Sequence, residues 1–296
     1  MSRRVLIVGC GYIGSQLAVM ERESGADVTA LVRTDDSAQA LQRMGVNAIA
    51  KDVDDVASDL PVCSSKVDVL YYLLAPPSQG KVDTRSERFV RHCHNAQLGH
   101  IVLLSTTGVY GDCGGAWIDE GAPVRPVADR AHRRVHAEST WLAAADANRW
   151  GLTCLRVAGI YGPGKLPVER LRRQDPVLAL AESPWSNRIY SKDLVRICQA
   201  ASQAAYPGVI NVVDDEPSSI SAYFMAVADC LGLPTPVEIG LDEAKARMSA
   251  GLLSYLRESR RIRNDKLKQV LGIQLSYPTL ALGLADIVQS PSAEKI

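Results

Sequence analysis

The sequence lacks an excess of charge, a long hydrophobic run and any paired cysteine motif. Its 33 basic and 33 acidic residues cancel, so no overall field favours nucleic acid or an anionic membrane surface as a partner. An apolar run of about 18 residues, which a transmembrane helix needs, does not occur. The first apolar strand follows Met1 within a few residues and leaves no room for a signal peptide, so we expect a cytoplasmic protein.

The seven cysteines are odd in number, scattered, and contain no Cys-x-x-Cys pair. This pattern argues against both a disulfide framework and a thiolate zinc site. His132 and His136 have an i, i+4 spacing that can chelate a metal, but no third ligand is indicated and the HExxH motif is absent. We therefore expect no metal site.

What the sequence does contain, close to its start, is a dinucleotide-binding fingerprint. Residues 5–8 indicate a strand buried on both faces, and they lead directly into Gly-x-Gly-x-x-Gly at 9–14. Gly9 permits a tight turn, Gly11 lets the main chain approach a pyrophosphate, and Gly14 allows close packing of helix and strand. The alternative is a glycine-rich turn that binds no nucleotide. The fingerprint predicts coenzyme contacts from the turn and the start of the helix, at Gly9, Gly11, Tyr12, Ile13 and Gly14.

Strands and helices alternate through the first half of the chain. The patterns predict strands over residues 4–8, 27–33, 46–50, 67–74, 100–105 and 152–157. They predict helices over residues 12–24, 36–45 (with Asp36 and Gln39 as a capping box), 83–98 and 129–148. This alternation is typical of an α/β fold, a Rossmann-like doubly wound parallel sheet.

The alternation loosens after Gly164. We therefore expect an NAD(P)-binding domain over residues 1–164 and a smaller C-terminal substrate lobe over residues 165–296. One more buried strand, at about 208–214, is expected to return to the first sheet.

The second strand ends in Arg33, which bears on the choice of coenzyme. A carboxylate at this point would bind the ribose hydroxyls of NAD, whereas an arginine neutralises the 2′-phosphate of NADP. The sequence therefore favours NADP over NAD. The alternative is an arginine that faces solvent at the end of a strand.

Four further segments carry motifs of one known family. They are Leu104–Gly111 (LSTTGVYG), Leu155–Gly164 (LRVAGIYGPG), Ile189–Asp193 (IYSKD) and Ser259–Gly272. Together they resemble the extended short-chain dehydrogenase/reductases, the family of nucleotide-sugar epimerases and dehydratases. The short glycine loop and STTGVYGD resemble more narrowly the atypical, YeeZ-type subgroup of NAD(P)-dependent epimerases or dehydratases.

The resemblance implies roles for particular residues. Thr106 occupies the position of the catalytic Ser/Thr, whose hydroxyl donates to a substrate oxygen. Asp83 stands in for the asparagine that holds a water in the proton relay. The coenzyme-lining residues that the resemblance implies are Asp52, Leu74, Ala75, Thr106, Gly159 and Ile160.

The acid/base pair of the family, Tyr-x-x-x-Lys, is missing. Glu138 matches the glutamate that follows the pair, which places Arg130 at the tyrosine position and Arg134 at the lysine position. No register shift supplies the pair, because there is no tyrosine between Tyr110 and Tyr161 and no lysine between positions 81 and 165. Arginine stays protonated and cannot shuttle the proton.

This helix is instead rich in cations, and three interpretations remain open. It presents a solvated basic face, it binds an anion, or it supplies a histidine as acid or base. The candidate catalytic residues are therefore Thr106, Arg134 and His132, with His136 and Asp112 as further sources of a proton.

We expect an NADP-dependent oxidoreductase or epimerase/dehydratase-like enzyme that acts on a nucleotide sugar or a small carbonyl compound. A catalytically silent NADP-binding sensor or scaffold is the alternative, and a Rossmann dehydrogenase of another family is a third option. The resemblance implies a dimer through the helices before and after strand five. Like charges on both helices oppose that seam, so we expect a monomer or a dimer through another face.

Overall fold

The computed structural model of the protein describes residues 2–55, 66–93 and 96–289, except the side chain of Ala250. Its strands are β1 Arg4–Val8, β2 Asp27–Val32, β3 Asn47–Ala50, β4 Val67–Tyr72, β5 Leu98–Thr106, β6 Trp117–Ile118, β7 Gly151–Val157, β8 Gly159–Tyr161, β9 Val177–Leu178, β10 Trp185–Ser186, β11 Arg188–Tyr190, β12 Gly208–Val212, β13 Ser218–Ser219, β14 Glu238–Ile239 and β15 Arg261–Ile262. Its α-helices are α1 Tyr12–Glu23, α2 Asp35–Arg43, α3 Thr84–His92, α4 Asp129–Asn148, α5 Val168–Arg172, α6 Ser191–Ala204, α7 Ile220–Cys230, α8 Leu241–Arg247, α9 Ala250–Tyr255, α10 Asp265–Leu271 and α11 Leu280–Gln289.

Seven strands form one parallel sheet in the order β12-β7-β5-β4-β1-β2-β3. Alternate residues of β1 enter separate cores on the two faces of the sheet. Val5 and Ile7 belong to one core, and Leu6 and Val8 to the other. Helices cover both faces, since α1 and α6 pack together and α3 packs on α4. The predicted Rossmann-like doubly wound parallel sheet is therefore confirmed.

The chain from Lys165 onward builds small paired strands and helices around a third core. Strand β11 pairs in parallel with β8, and Tyr161 and Tyr190 are buried there with α7 and α11. Strand β12 leaves this region and pairs with β7 at the edge of the large sheet. The division into domains at residue 164 stays a prediction.

Several predicted boundaries are wrong. Helix α2 is capped by Thr34, whose side chain accepts a hydrogen bond from the Ser37 amide, and not by Asp36. The helix predicted over 83–98 ends at His92. Strand β5 begins at Leu98, because pairing with Val67 of β4 extends the strand past its apolar run.

Among the described residues, none of the helices combines the length and apolar character that crossing a membrane requires. The six cysteines in this part of the chain form no disulfide bond with one another. Cys63 lies outside the described residues.

The glycine turn is crowded at one position and open at another, which makes a matched pair of variants. A Cβ at Gly14 would lie 2.6 Å from the Gly9 carbonyl oxygen, whereas nothing lies within 4 Å of a Cβ at Gly11. We expect Gly14→Ala to lower the free energy of unfolding by about 1–3 kcal/mol and Gly11→Ala to cost clearly less. Urea denaturation measures both, and equal losses would contradict the packing role of Gly14.

Candidate functional site

The glycine turn lies at the carboxyl end of β1, where the backbone of neighbouring strands approaches closely. Gly9 has φ +95°, and a Cβ there would lie 2.9 Å from the Leu74 amide nitrogen. Its own amide donates to the Leu31 carbonyl at 3.1 Å. Helix α1 follows with Gly11 as its N-cap, with no side-chain cap and no acidic residue in its first turn. Uncapped amides at the start of a helix favour an anion such as a phosphate.

A first cavity of about 410 Å³, which we call the coenzyme cavity, opens beside this turn. Arg33 and Lys51 bring two cations to its wall, together with the hydroxyl-bearing residues Thr34 and Ser37. The residues of the predicted coenzyme set that line it are Gly9, Gly11, Arg33, Asp52, Leu74 and Ala75. These residues surround a recess between the ends of β1, β2 and β4.

Tyr12, also predicted to contact a coenzyme, is tied to the C-terminal half of the chain. Its hydroxyl donates to Ser191 Oγ at 3.0 Å, and Lys165 lies 5.0 Å from its ring centroid. Tyr12 and its neighbours Ile13 and Gly14 are not among the residues that line the coenzyme cavity.

Arg85 holds the wall of the coenzyme cavity together. Its Nε donates to both carboxylate oxygens of Asp54 at 2.9 Å, and its Nη1 donates to the Ala75 carbonyl at 2.8 Å. The bonded guanidinium lowers the pKa of Asp54, against a smaller opposing effect of burial. The loop after β3, which carries Asp52, is thereby fixed to the end of β4.

A second cavity of about 450 Å³, which we call the arginine-lined cavity, meets the first at Ala75. Thr106 and Gly159 line it from the ends of β5 and β8, and Ile160 beside them is half-buried. Glu258 is the one acidic residue among its lining residues. The arginines that line it are Arg130, Arg133, Arg134, Arg188 and Arg260. The excess of positive charge fits an anionic ligand.

The two arginines that the sequence comparison places at the tyrosine and lysine positions, as a prediction, have different contacts. Arg134 donates to the carbonyls of Leu74 and Leu104, at 3.1 and 2.9 Å, and so joins the ends of β4 and β5. Burial lowers the pKa of its guanidinium. Arg130 points to the C-terminal half, where it donates to Ser254 Oγ at 2.7 Å. Both arginines line the arginine-lined cavity.

Glu138 belongs to a buried network behind Thr106. Its carboxylate pairs with Arg156 at 2.8 Å and accepts a hydrogen bond from the Ser105 hydroxyl. Arg156 in turn lies 4.9 Å from the ring centroid of Tyr110, whose hydroxyl donates to Asn211 at 2.7 Å. The network fixes the end of β5 against β7.

Four predicted or suggested groups lie away from the arginine-lined cavity. Asp83 caps α3 by accepting the amides of Arg85 and Ser86. His136 accepts a hydrogen bond from the Asp83 amide at 3.3 Å and lies 3.5 Å from Glu87 of α3. His132 and Asp112 are the other two of these four groups, and neither lines the cavity. The described ranges contain no group of three His, Cys, Asp or Glu residues that could hold a metal.

Sequence reasoning predicted a substrate lobe after residue 164 but named none of the residues that this region contributes to the cavity. Trp185, Arg188, Tyr255 and Arg260 all line the arginine-lined cavity. Arg188 and Arg260 lie next to or inside segments that carry family motifs, and that placement was a usable signal. Tyr255 lies on a short helix with no motif around it.

A family model described as "NAD dependent epimerase/dehydratase family" matches residues 5–212. Protein YeeZ of Escherichia coli (strain K12) is 25% identical over 290 residues, which cover 93% of this chain and 97% of that protein.

Two solved structures are similar over nearly the whole chain. A functionally unknown conserved protein from Silicibacter pomeroyi is 31% identical, with a TM-score of 0.82 and coverage of 97% of this chain and 98% of that one. The Bacillus cereus UDP-glucuronic acid 4-epimerase, in complex with UDP-glucuronic acid and NAD, is 18% identical with a TM-score of 0.76, over 99% and 100% of the two chains. The second likeness is one of fold alone.

Arg188 shares its surroundings with a buried carboxyl group. Its Nη1 donates to Ser186 Oγ at 2.6 Å, and the amide of Asp214 donates to the Arg188 carbonyl at 2.7 Å. Burial raises the pKa of the Asp214 carboxyl to about 8, against the opposing effects of the Glu216 amide and the Arg188 guanidinium. The folded protein therefore holds a proton here that an unfolded chain releases near pH 4.

This difference predicts a pH-dependent loss of stability. Between about pH 4 and pH 8 the unfolded state releases the Asp214 proton while the folded state keeps it, so the free energy of unfolding falls as pH rises. Asp214→Asn removes the titrating carboxyl and with it this effect. The melting temperature of the variant minus that of the wild type should therefore increase as pH rises from 5 to 8.5. Differential scanning calorimetry at the two pH values tests this, and parallel pH profiles of the two proteins would contradict it.

Proposed function

Because this chain belongs to the NAD dependent epimerase/dehydratase family, we propose that it is an enzyme that uses a nicotinamide coenzyme to act on an anionic substrate such as a nucleotide sugar. The observation that carries the proposal is the junction of the two cavities at Ala75. One cavity has the glycine turn and an uncapped helix start, and the other has five arginines and the Thr106 hydroxyl.

The glycine turn and the uncapped start of α1 support the coenzyme. Gly9 is required in that turn, because a Cβ there would lie 2.9 Å from the Leu74 amide nitrogen. When bound, a nicotinamide coenzyme supplies the capacity to accept and return a hydride. The chain would hold it through Gly9, Gly11 and the loop of Asp52, with Leu74 and Ala75 beneath it.

Thr106 is the proposed hydrogen-bond donor to the reacting oxygen of the substrate. Its Oγ1 accepts the Gly108 amide at 3.2 Å, which leaves the hydroxyl hydrogen free to point into the arginine-lined cavity. Arg134 holds the carbonyl groups of two strand ends and stays protonated, so we propose that it positions the site and moves no proton.

The charge of the arginine-lined cavity supports a substrate with a phosphate or carboxylate. Arg188 and Arg260 come from the C-terminal half, opposite the arginines of α4. The Bacillus cereus epimerase of similar fold binds UDP-glucuronic acid, which carries both kinds of anion. We propose that the region after residue 164 selects the substrate.

The structure of the Bacillus cereus epimerase contains NAD and so does not support NADP. The proposal that this chain prefers NADP therefore rests on its own residues Arg33 and Lys51. Arg33 is exposed at the wall of the coenzyme cavity, next to Thr34 and Ser37. A guanidinium at this place binds a 2′-phosphate through charge-assisted hydrogen bonds. The oligomeric state, a monomer or a dimer through another face, and the cytoplasmic location stay predictions.

Arg33→Asp should therefore abolish a preference for NADPH over NADH. Loss of one charge-assisted contact is worth about 1.5–3 kcal/mol, which is about tenfold to a hundredfold in affinity. Arg43→Asp makes the same charge change at the far end of α2, outside the coenzyme cavity, and should keep the preference. Calorimetric titration of both coenzymes measures this, and equal affinities of the wild type for NADPH and NADH would overturn the proposal for NADP.

Thr106→Val should remove most of the turnover, because general acid or hydrogen-bond catalysis is worth about 10²–10⁴ in rate. Coenzyme affinity should stay within about twofold, because the hydroxyl acts on the substrate. The candidate substrates tested are UDP-glucose, UDP-glucuronic acid, glyceraldehyde and acetoacetate. Turnover is measured by the change in NADPH absorbance and by chromatography of sugar products. Tight coenzyme binding with no turnover of any of these by the wild type would contradict an enzyme and favour the sensor or scaffold.

A further inference from the structure

One tyrosine reaches the arginine-lined cavity from the C-terminal half of the chain. Tyr255 is the last residue of α9, and it lines the same cavity as Thr106 and Arg130. The residue is 52% exposed. A phenol is thus present in this cavity although α4 contributes none.

Arg130 holds the ring of Tyr255 in place. The guanidinium carbon lies 3.9 Å from the ring centroid, within the range of a cation–π contact. The same guanidinium donates to Ser254 Oγ at 2.7 Å and lies 3.6 Å from a carboxylate oxygen of Glu258. These contacts on both sides of Tyr255 fix the end of α9 against α4.

The other lining groups are poorly suited to give a proton. Glu258 is buried and its carboxylate is engaged in ion pairs with both Arg130 and Arg260. The arginines do not deprotonate, and the Ser and Thr hydroxyls are weak acids and act as hydrogen-bond donors. Among the residues that line the cavity, Tyr255 is the remaining group able to exchange a proton.

We propose that Tyr255 is the proton donor and acceptor of this site, an inference that rests on the proposed function. In the reducing direction, the Tyr255 O–H bond breaks and its proton goes to the carbonyl oxygen of the substrate. The carbonyl carbon receives a hydride from a reduced nicotinamide coenzyme, so an alcohol forms and the coenzyme is oxidised. The phenolate then recovers a proton from solvent, to which Tyr255 is exposed. The oxidising direction reverses each transfer.

Tyr255→Phe tests the proposal with the four compounds named above. We expect kcat to fall by about 10²–10⁴ on the compound that the wild type turns over, with unchanged NADPH affinity and melting temperature. Tyr206→Phe is the matched control, because Lys266 lies 5.1 Å from the Tyr206 ring and Tyr206 does not line the cavity. Its kcat should stay within about twofold of the wild type.

A second measurement needs no turnover. 3-Fluorotyrosine is placed at position 255 or 206, and its ¹⁹F resonance is recorded before and after saturation with NADP⁺. We expect the resonance of residue 255 to shift, because the positively charged nicotinamide enters its cavity, and that of residue 206 to stay.

The outcomes separate the two proposals. Turnover that is lost in Thr106→Val but kept in Tyr255→Phe overturns the role of Tyr255 and leaves the proposed function intact. A ¹⁹F resonance at residue 255 that does not respond to NADP⁺ also overturns it, whatever the kinetics. Failure of the wild type to turn over any of the compounds overturns both proposals.

Discussion

The concentration of positive charge at the carboxyl edge of the sheet is the constraint on which the rest of the site depends. Guanidinium groups cannot release a proton, so each must be satisfied by bonds to the protein or by an anion. Arg134 bonds two strand-end carbonyls, Arg133 bonds the Gly80 carbonyl, and Arg260 bonds the Gly111 carbonyl. These bonds fix the charges at the cavity wall, and Glu258 offsets only part of them.

The same bonds connect the two halves of the chain. Asp112 accepts the Ser259 amide at 2.9 Å, and β15 pairs with β6, so the segment that carries Glu258 and Arg260 is anchored to the loop after β5. Asp112, suggested from the sequence as a source of a proton, thus serves as an anchor. A cavity assembled in this way has one wall from the Rossmann-like sheet and the other from the region after residue 164.

Local patterns predicted the sheet and the glycine turn, because apolar runs and glycine geometry are properties of neighbouring residues. The end of α3 at His92 and the start of β5 at Leu98 were not predictable in the same way. Leu98 belongs to β5 because it pairs with Val67, a residue of another strand. Tyr255 was also beyond prediction from the sequence. It meets Arg130, which lies 125 positions earlier in the chain, only in the folded protein, and no motif marks it.

The most direct test of the account is a crystal structure of the protein with NADP⁺. We predict the 2′-phosphate beside Arg33, the pyrophosphate at the glycine turn, and the nicotinamide in the arginine-lined cavity between Thr106 and Tyr255. A coenzyme bound outside the two cavities, or a nicotinamide turned away from Thr106 and Tyr255, would contradict the account.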